Sequence, residues 1–279
     1  MKILDTVIRV GAQRPFTVLH ASDTHLTCAD ERDDARKLAL AAVRAACFPE
    51  AEDCLRRLTA LAQNEGLPVL HTGDLNDFVS FANLDASRAF TAAVDCFMAA
   101  GNHEFSLYVG EAWEDAAYRA QSLDRVQAAF TNDIRFCSRV MHGVNFIALD
   151  NSYYLIEPWQ LERLKAEAAK GLPMVLLVHT PLYSAETLAV LRQNGRLRPE
   201  EPAYLMAVPE QEMRGYDDHR YRQQLADGTT REALEWICAQ PLLKAVLTGH
   251  LHRDFEADIT GTLRQYGVGC TTVRRIRFV

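Results

Sequence analysis

Residues 67–77, Leu67-Pro68-Val69-Leu70-His71-Thr72-Gly73-Asp74-Leu75-Asn76-Asp77, carry the reading of this chain: an apolar run gives way to a glycine, two carboxylates and an amide. A short apolar run bounded by turn residues reads as a buried strand. The same event recurs along the chain. Phe16 to Ala21 is followed by Asp23-Thr24-His25, Cys96 to Ala99 by Gly101-Asn102-His103-Glu104, Met174 to Val178 by His179, and Leu243 to Leu247 by Gly249-His250-Leu251-His252. Val144 to Leu149 is a further strand, and Gln265 to Val279 reads as closing strands. Helical patterns fall between them at Asp30 to Cys47, Glu50 to Glu65, Asp85 to Asp95, Trp113 to Phe130, Pro158 to Lys170 and Thr230 to Ala239. Alternating strands and helices indicate an α/β layered fold. Ligands of open α/β sheets bind beyond the carboxyl ends of strands, so the five polar groups are expected to meet in one crevice.

The whole chain, 279 residues, is read as one domain, because no repeat or low-complexity linker divides it. The interval from His179 to His250 exceeds the roughly 30 residues of a strand-helix-strand unit. Its excess, at about residues 183–229, is expected to form an inserted cap-like segment. No apolar run approaches the roughly 18 residues of a membrane helix. Asp5 and Arg9 interrupt what a secretory leader would keep apolar, and seven scattered cysteines without a C-x-x-C pair fit a reducing compartment, so a cytoplasmic protein is expected. A thiolate metal site is not expected. The net charge of −7 works against non-specific attraction to nucleic acid, and it obliges any anionic substrate to find a local source of positive charge.

The donors after the strands are carboxylates, an amide and imidazoles, a set suited to Mn, Fe or Zn. Residues i and i+2 of an extended segment point the same way, so Asp23 with His25, and His250 with His252, can each serve one site. The succession D-x-H, G-D-x-x-D, G-N-H-E, a lone His and G-H-x-H, from Asp23 to His252, resembles the calcineurin-like metallophosphoesterase family. That resemblance implies two packed mixed β-sheets flanked by helices, in four αββα layers. It also implies two divalent or trivalent metal ions, one held by Asp23, His25 and His252, the other by Asn102, His179 and His250, with Asp74 bridging. It makes His103 the proton donor and Asp77 the acid that orients it. Phe78 and Val79 stand where the protein Ser/Thr phosphatases carry Arg-Gly, and Asp77 stands where purple acid phosphatases carry Tyr, so neither subfamily is matched.

The chemistry is consistent with those roles. Two dications against the two carboxylates of Asp23 and Asp74 leave local positive charge, can acidify a bridging water to attack phosphorus, and stabilise an in-line displacement. His103 as general acid would protonate the leaving oxygen. The expected function is hydrolysis of a small phosphodiester or phosphomonoester. The alternatives are a nuclease of the same family, which the acidic balance weighs against, and a catalytically silent interaction module, which the complete donor set weighs against. Substrate choice is expected to reside in the 183–229 segment, where Tyr183, Tyr204, Tyr216 and Tyr221 offer flat faces and Arg214, His219 and Arg220 offer donors; Arg214, Tyr216 and Arg220 are the candidate contacts. His20 and His71 read as core histidines, Asp150 as the cap of a turn, and Arg274, Arg275 and Arg277 as a solvated strand face.

Overall fold

The computed structural model describes residues 1–110, 113–193 and 203–279; residues 194–202, inside the expected cap segment, lie outside the described residues. Its strands are β1 (Lys2–Ile8), β2 (Phe16–Ala21), β3 (Val69–His71), β4 (Cys96–Met98), β5 (Phe136–Met141), β6 (Val144–Leu149), β7 (Met174–Leu177), β8 (Leu243–Thr248), β9 (Phe255–Asp258), β10 (Arg264–Gly267) and β11 (Thr272–Phe278). They form two mixed sheets, ordered β1-β11-β2-β3-β4 and β5-β6-β7-β8-β10-β9. The helices are α1 (Ala35–Cys47), α2 (Ala51–Glu65), α3 (Phe81–Ala93), α4 (Ala116–Ala120), α5 (Leu123–Gln127), α6 (Pro158–Ala168), α7 (Ala185–Arg192), α8 (Asp218–Gln224) and α9 (Gly228–Ala239).

Because successive side chains of a strand point to opposite faces, a strand with apolar residues on both faces must be covered on both. β6 shows the consequence. Phe146 and Ala148 pack between the sheets with Val18, Leu70 and Phe278. Ile147 and Leu149 face outward with Leu161 and Leu164 of α6 and Ile237 of α9. On the first sheet, Leu19 and Val69 face Leu58 of α2 and Phe90 of α3. The layers are therefore helices, sheet, sheet, helices, as the resemblance implied.

Several elements depart from expectation: β1, β5 and β9 are additional strands, and α3 begins at Phe81 where a start at Asp85 was expected. The helix expected from Asp30 begins at Ala35, where the Asp34 carboxylate caps it by accepting the Lys37 N–H at 2.9 Å. The single helix expected over Trp113 to Phe130 is two short ones, α4 and α5, separated at Gln121 and Ser122. Arg274 is buried rather than solvated. It projects from β11 between the sheets, where it donates to Thr6 Oγ1 at 2.7 Å, to Glu256 at 2.5 Å and to the Gly267 carbonyl at 3.2 Å, tying the edges of the two sheets together.

Within the 183–229 segment, α7, a short 3₁₀ turn (Glu210–Met213) and α8 gather a small core of Leu188, Leu191, Leu205, Val208 and Met213. Leu251, from the turn after β8, packs against it.

Candidate functional site

The ends of β2, β3 and β4 in one sheet and of β7 and β8 in the other deliver all five polar groups to one crevice. Backbone bonds fasten the turns to each other: the Asp23 N–H donates to the Gly73 carbonyl and the His25 N–H to the Asp74 carbonyl, both at 2.9 Å. Close approach explains two of the glycines. A Cβ on Gly101 would stand 2.2 Å from Asp74 Oδ1, and one on Gly249 would stand 1.8 Å from Ser22 Oγ, so no other residue fits either place. Glu104, fully buried, locks the β3 and β4 turns by accepting the N–H groups of Asp74 and Gly101 at 2.7 Å and of Asn76 at 3.1 Å. Burial and the nearby Asp74 charge still push its carboxyl up to about 8.

The donors form two groups that share a member. Asp23, His25, Asp74 and His252 each bring one ligand atom within 4.8 Å of the others, and so do Asp74, His179 and His250. Asp74 Oδ2 lies 3.1 Å from His179 Nε2 and 3.7 Å from His25 Nε2. His25 Nε2 faces His252 Nε2 at 2.9 Å, and His179 Nε2 faces His250 Nδ1 at 3.2 Å. Three of these rings are held by their other nitrogen: His25 Nδ1 by the Asp77 carboxylate (2.9 Å), His179 Nδ1 by the Thr72 carbonyl (2.7 Å), His250 Nε2 by the Tyr154 hydroxyl (2.8 Å). That is the arrangement metal-ligating imidazoles require, because it fixes the tautomer and turns a lone pair toward the ion. Asn102 donates from Nδ2 to Glu114 at 3.2 Å, while its buried Oδ1 has no donor among the described residues. An ion beside Asn102 would satisfy that oxygen, so the residues present fit a metal pair.

Burial and neighbouring charges act differently on each donor. Burial holds His25, His250 and His252 below the ordinary imidazole range, which keeps them neutral. Burial raises Asp23, whereas in Asp74 the imidazoles of His179, His103 and His25 overcome burial and keep the carboxyl well below its usual range. Against the penalty of its own burial, His179 is lifted to about 10 by Asp74. The backbone is under strain at the same place. Asp23, His25, Asp74, His250 and His252 all adopt left-handed φ values between 52° and 69°. Tyr154 and Tyr204 are left-handed too, at 65° and 51°, leaving His142 and Ala207 as the other non-glycine residues of this kind among the described residues.

His103 sits at the mouth. Its N–H donates to Asp74 Oδ1 at 2.9 Å, and its Nδ1 bonds the main-chain carbonyl of Asp77 at 2.7 Å. The side-chain carboxylate of Asp77 stands farther off, 3.3 Å from that nitrogen, because it is taken by His25 and by the guanidinium of Arg44 at 2.6 and 2.8 Å. Asp77 thus meets His103 through both its carbonyl and, more distantly, its carboxylate. Asp74 and Asp77 raise the His103 imidazole above its ordinary value although burial opposes them.

A cavity of about 480 Å³ opens from Asp74, Asn102, His103, His250 and His252, and Tyr154, Tyr204, Leu191, Glu114 and Arg220 wall it. Of the three expected substrate contacts only Arg220 lines it. Arg214 is exposed at the end of the 3₁₀ turn, and the Tyr216 hydroxyl is spent on the Ala203 N–H at 2.6 Å, bracing the segment from behind. His20 and His71 are core histidines as expected, bonded to Thr72 and Thr24. Asp150 caps its turn by accepting the Ser152 N–H at 3.0 Å. The loop after β10, which runs parallel to β8, also brings a ligand atom of Cys270 within 4.8 Å of His25 and His252, but burial raises its thiol and so disfavours a thiolate donor. Arg44, Tyr154 and Cys270 were missed by sequence reasoning, whereas Tyr204, one of the four tyrosines expected to offer flat faces, lines the cavity.

A match to the calcineurin-like phosphoesterases spans residues 16–254. No curated protein is significantly similar in sequence. Among solved structures, a dimetal phosphatase from Danio rerio is 14% identical with a TM-score of 0.50, over 92% of this chain and 88% of that one. The phosphopantetheinyl hydrolase of Mycobacterium tuberculosis is 13% identical with a TM-score of 0.45, over 91% and 90%. At these identities the likeness to the first is one of fold. No described helix is long and apolar enough to cross a membrane. With the family match covering every donor from Asp23 to His252, the chain belongs to the calcineurin-like phosphoesterases and is a metal-dependent phosphoesterase.

Proposed function

We propose that the chain hydrolyses small phosphoric esters at two metal ions, one held by Asp23, His25 and His252, the other by Asn102, His179 and His250, with Asp74 shared. The observation that carries this reading is the place of Asp74, whose Oδ2 stands between His179 Nε2 and His25 Nε2 where the two donor groups meet. When bound, such a pair activates water and holds phosphoryl oxygens for in-line displacement. The remaining work belongs to the chain. His103, its Nδ1–H donated to the Asp77 carbonyl and its charge favoured by Asp74, holds a proton on Nε2 for the leaving oxygen. Asp77, clamped by Arg44, fixes the tautomer of His25.

The oxygen and imidazole donors support Mn, Fe or Zn. A cavity of about 480 Å³ and a net charge of −7 support a small ester over nucleic acid. Seven free cysteines support a reducing compartment such as the cytoplasm. The 183–229 segment serves as a cap whose inner edge supplies Tyr204 and Arg220.

The test is elemental analysis of the Mn-loaded protein with a screen against phosphomonoesters, cyclic nucleotides, other phosphodiesters and nucleic acids. About two ions per chain are expected, and Asp74→Asn should lose at least one ion together with turnover while remaining folded. A parent protein that takes up no metal, or turns over no phosphoester, overturns the reading.

A further inference from the structure

Beyond the donors, the cavity wall contains a cation, Arg220. Arg220, half-buried on α8, has no carboxylate within 4 Å among the described residues, although Glu114 lines the same cavity. The reason is Gln223. This buried amide accepts from Arg220 Nη1 at 2.6 Å and donates through Nε2 to Glu114 at 2.5 Å. It stands between the two charged groups and is bonded to both. Glu114 is further engaged by Asn102 Nδ2, while the guanidinium lies over the Tyr204 ring, 5.1 Å from its centroid. Tyr204 in turn sits 6.2 Å, centroid to centroid, from the ring of His250, so one aromatic ring separates Arg220 from the donor cluster. Tyr204 and Tyr154 both hold left-handed backbone, a conformation that bulky residues keep where surrounding structure enforces it. Leu191, Ala203 and Leu251 complete this part of the wall with apolar surface.

An oriented, partly desolvated guanidinium lacking a carboxylate is a site for an anion. We propose that Arg220, set by Gln223 and Tyr204, is a second anion subsite, and that the substrate is a phosphoester whose leaving group has a compact apolar or aromatic body carrying a second anionic group, a carboxylate or another phosphoryl. This rests on the phosphoesterase reading and adds the substrate class to it. The phosphoryl group lies at the donors, the apolar body lies along Tyr204 and Leu191, and the second anion meets Arg220.

The matched probes are 4-carboxyphenyl phosphate and 4-carbamoylphenyl phosphate, alike in size and differing in the distal charge. With the Mn-loaded parent, kcat/KM should favour the carboxylate by about 10- to 100-fold, the worth of one or two charge-assisted hydrogen bonds. Arg220→Gln should bring that ratio close to one. Gln223→Glu should do the same with the guanidinium still present, because it supplies the missing counter-ion; that separates a charge effect from loss of folding, which circular dichroism checks. Equal turnover of the two esters by the parent, or a ratio that neither variant changes, overturns the subsite and leaves the hydrolase standing. If the parent turns over neither ester, the subsite is judged without turnover, and the hydrolase reading stands or falls on the wider screen. Calorimetry with 4-carboxybenzylphosphonate and benzylphosphonate then decides the subsite by binding alone, equal affinity refuting it.

Discussion

Tyr154→Phe isolates one contact at the metal site. Tyr154 is 1% exposed, and its hydroxyl meets His250 Nε2 at 2.8 Å while its ring stands edge-on to the imidazole, 5.5 Å between centroids. Phenylalanine keeps the ring and the packing, so no cavity forms; what disappears is the acceptor for the proton on Nε2. An orphaned buried donor costs about 1–3 kcal/mol. The bond also holds His250 in the tautomer that turns Nδ1 toward His179 and Asp74, and removing such a partner from a metal-bound histidine typically weakens the ion by about 10- to 100-fold. The loss should be confined to the ion at Asn102, His179 and His250, because His25 is held separately by Asp77. Titration of the loaded protein with a chelator should therefore show two steps, with the easier one shifted by about one decade or more and the other unmoved. Equal shifts in both steps, or none, would refute the assignment of Tyr154 to one ion and with it the division of donors into two groups.

His103→Ala should slow esters of poor leaving groups such as alkyl alcohols far more than nitrophenyl esters, which depart unprotonated, with metal content unchanged; steady-state kinetics on both classes checks it. Arg44→Leu strips two hydrogen bonds from the buried Asp77 carboxylate and should destabilise the fold by about 2–4 kcal/mol in urea unfolding, a result under about 0.5 kcal/mol counting against the clamp. Glu157 lies below its ordinary value of 4.5 because Trp159, Arg119 and Arg135 together outweigh its partial burial. A depressed carboxyl stabilises the fold above its ordinary value and loses that contribution as pH falls through its folded value. Glu157→Gln should accordingly be less stable than the parent at neutral pH, with the gap closing in acid; a constant gap in melting temperature from pH 7 to pH 3 would contradict this.

Much of the site was legible because each donor follows a strand that is apolar on both faces, and both signals are local in sequence. The strands not anticipated are β1, β5 and β9, all at sheet edges. Each has neighbours on one side only and carries charge, as with Lys2 and Asp5 in β1, Arg139 in β5 and Glu256 in β9, so the apolar pattern that betrays a central strand is diluted. Arg44, Tyr154 and Cys270 were hidden for a different reason. They reach the site from α1, from the loop after β6 and from the loop after β10, and only the stacking of the two sheets brings them to the donors. Arg214 and Tyr216 were chosen by residue type, but the local turn points the first outward and uses the hydroxyl of the second to hold the chain.

Five donors, Asp23, His25, Asp74, His250 and His252, hold left-handed backbone, a conformation that costs on the order of 1 kcal/mol or more per residue. This concentrates backbone strain at the junction of the two sheets. Ions bound there would favour the folded chain by mass action. Newly made protein in a metal-poor cell would then spend longer partly open, where proteases act. Metal supply would govern how much of this protein persists as well as how fast each copy works.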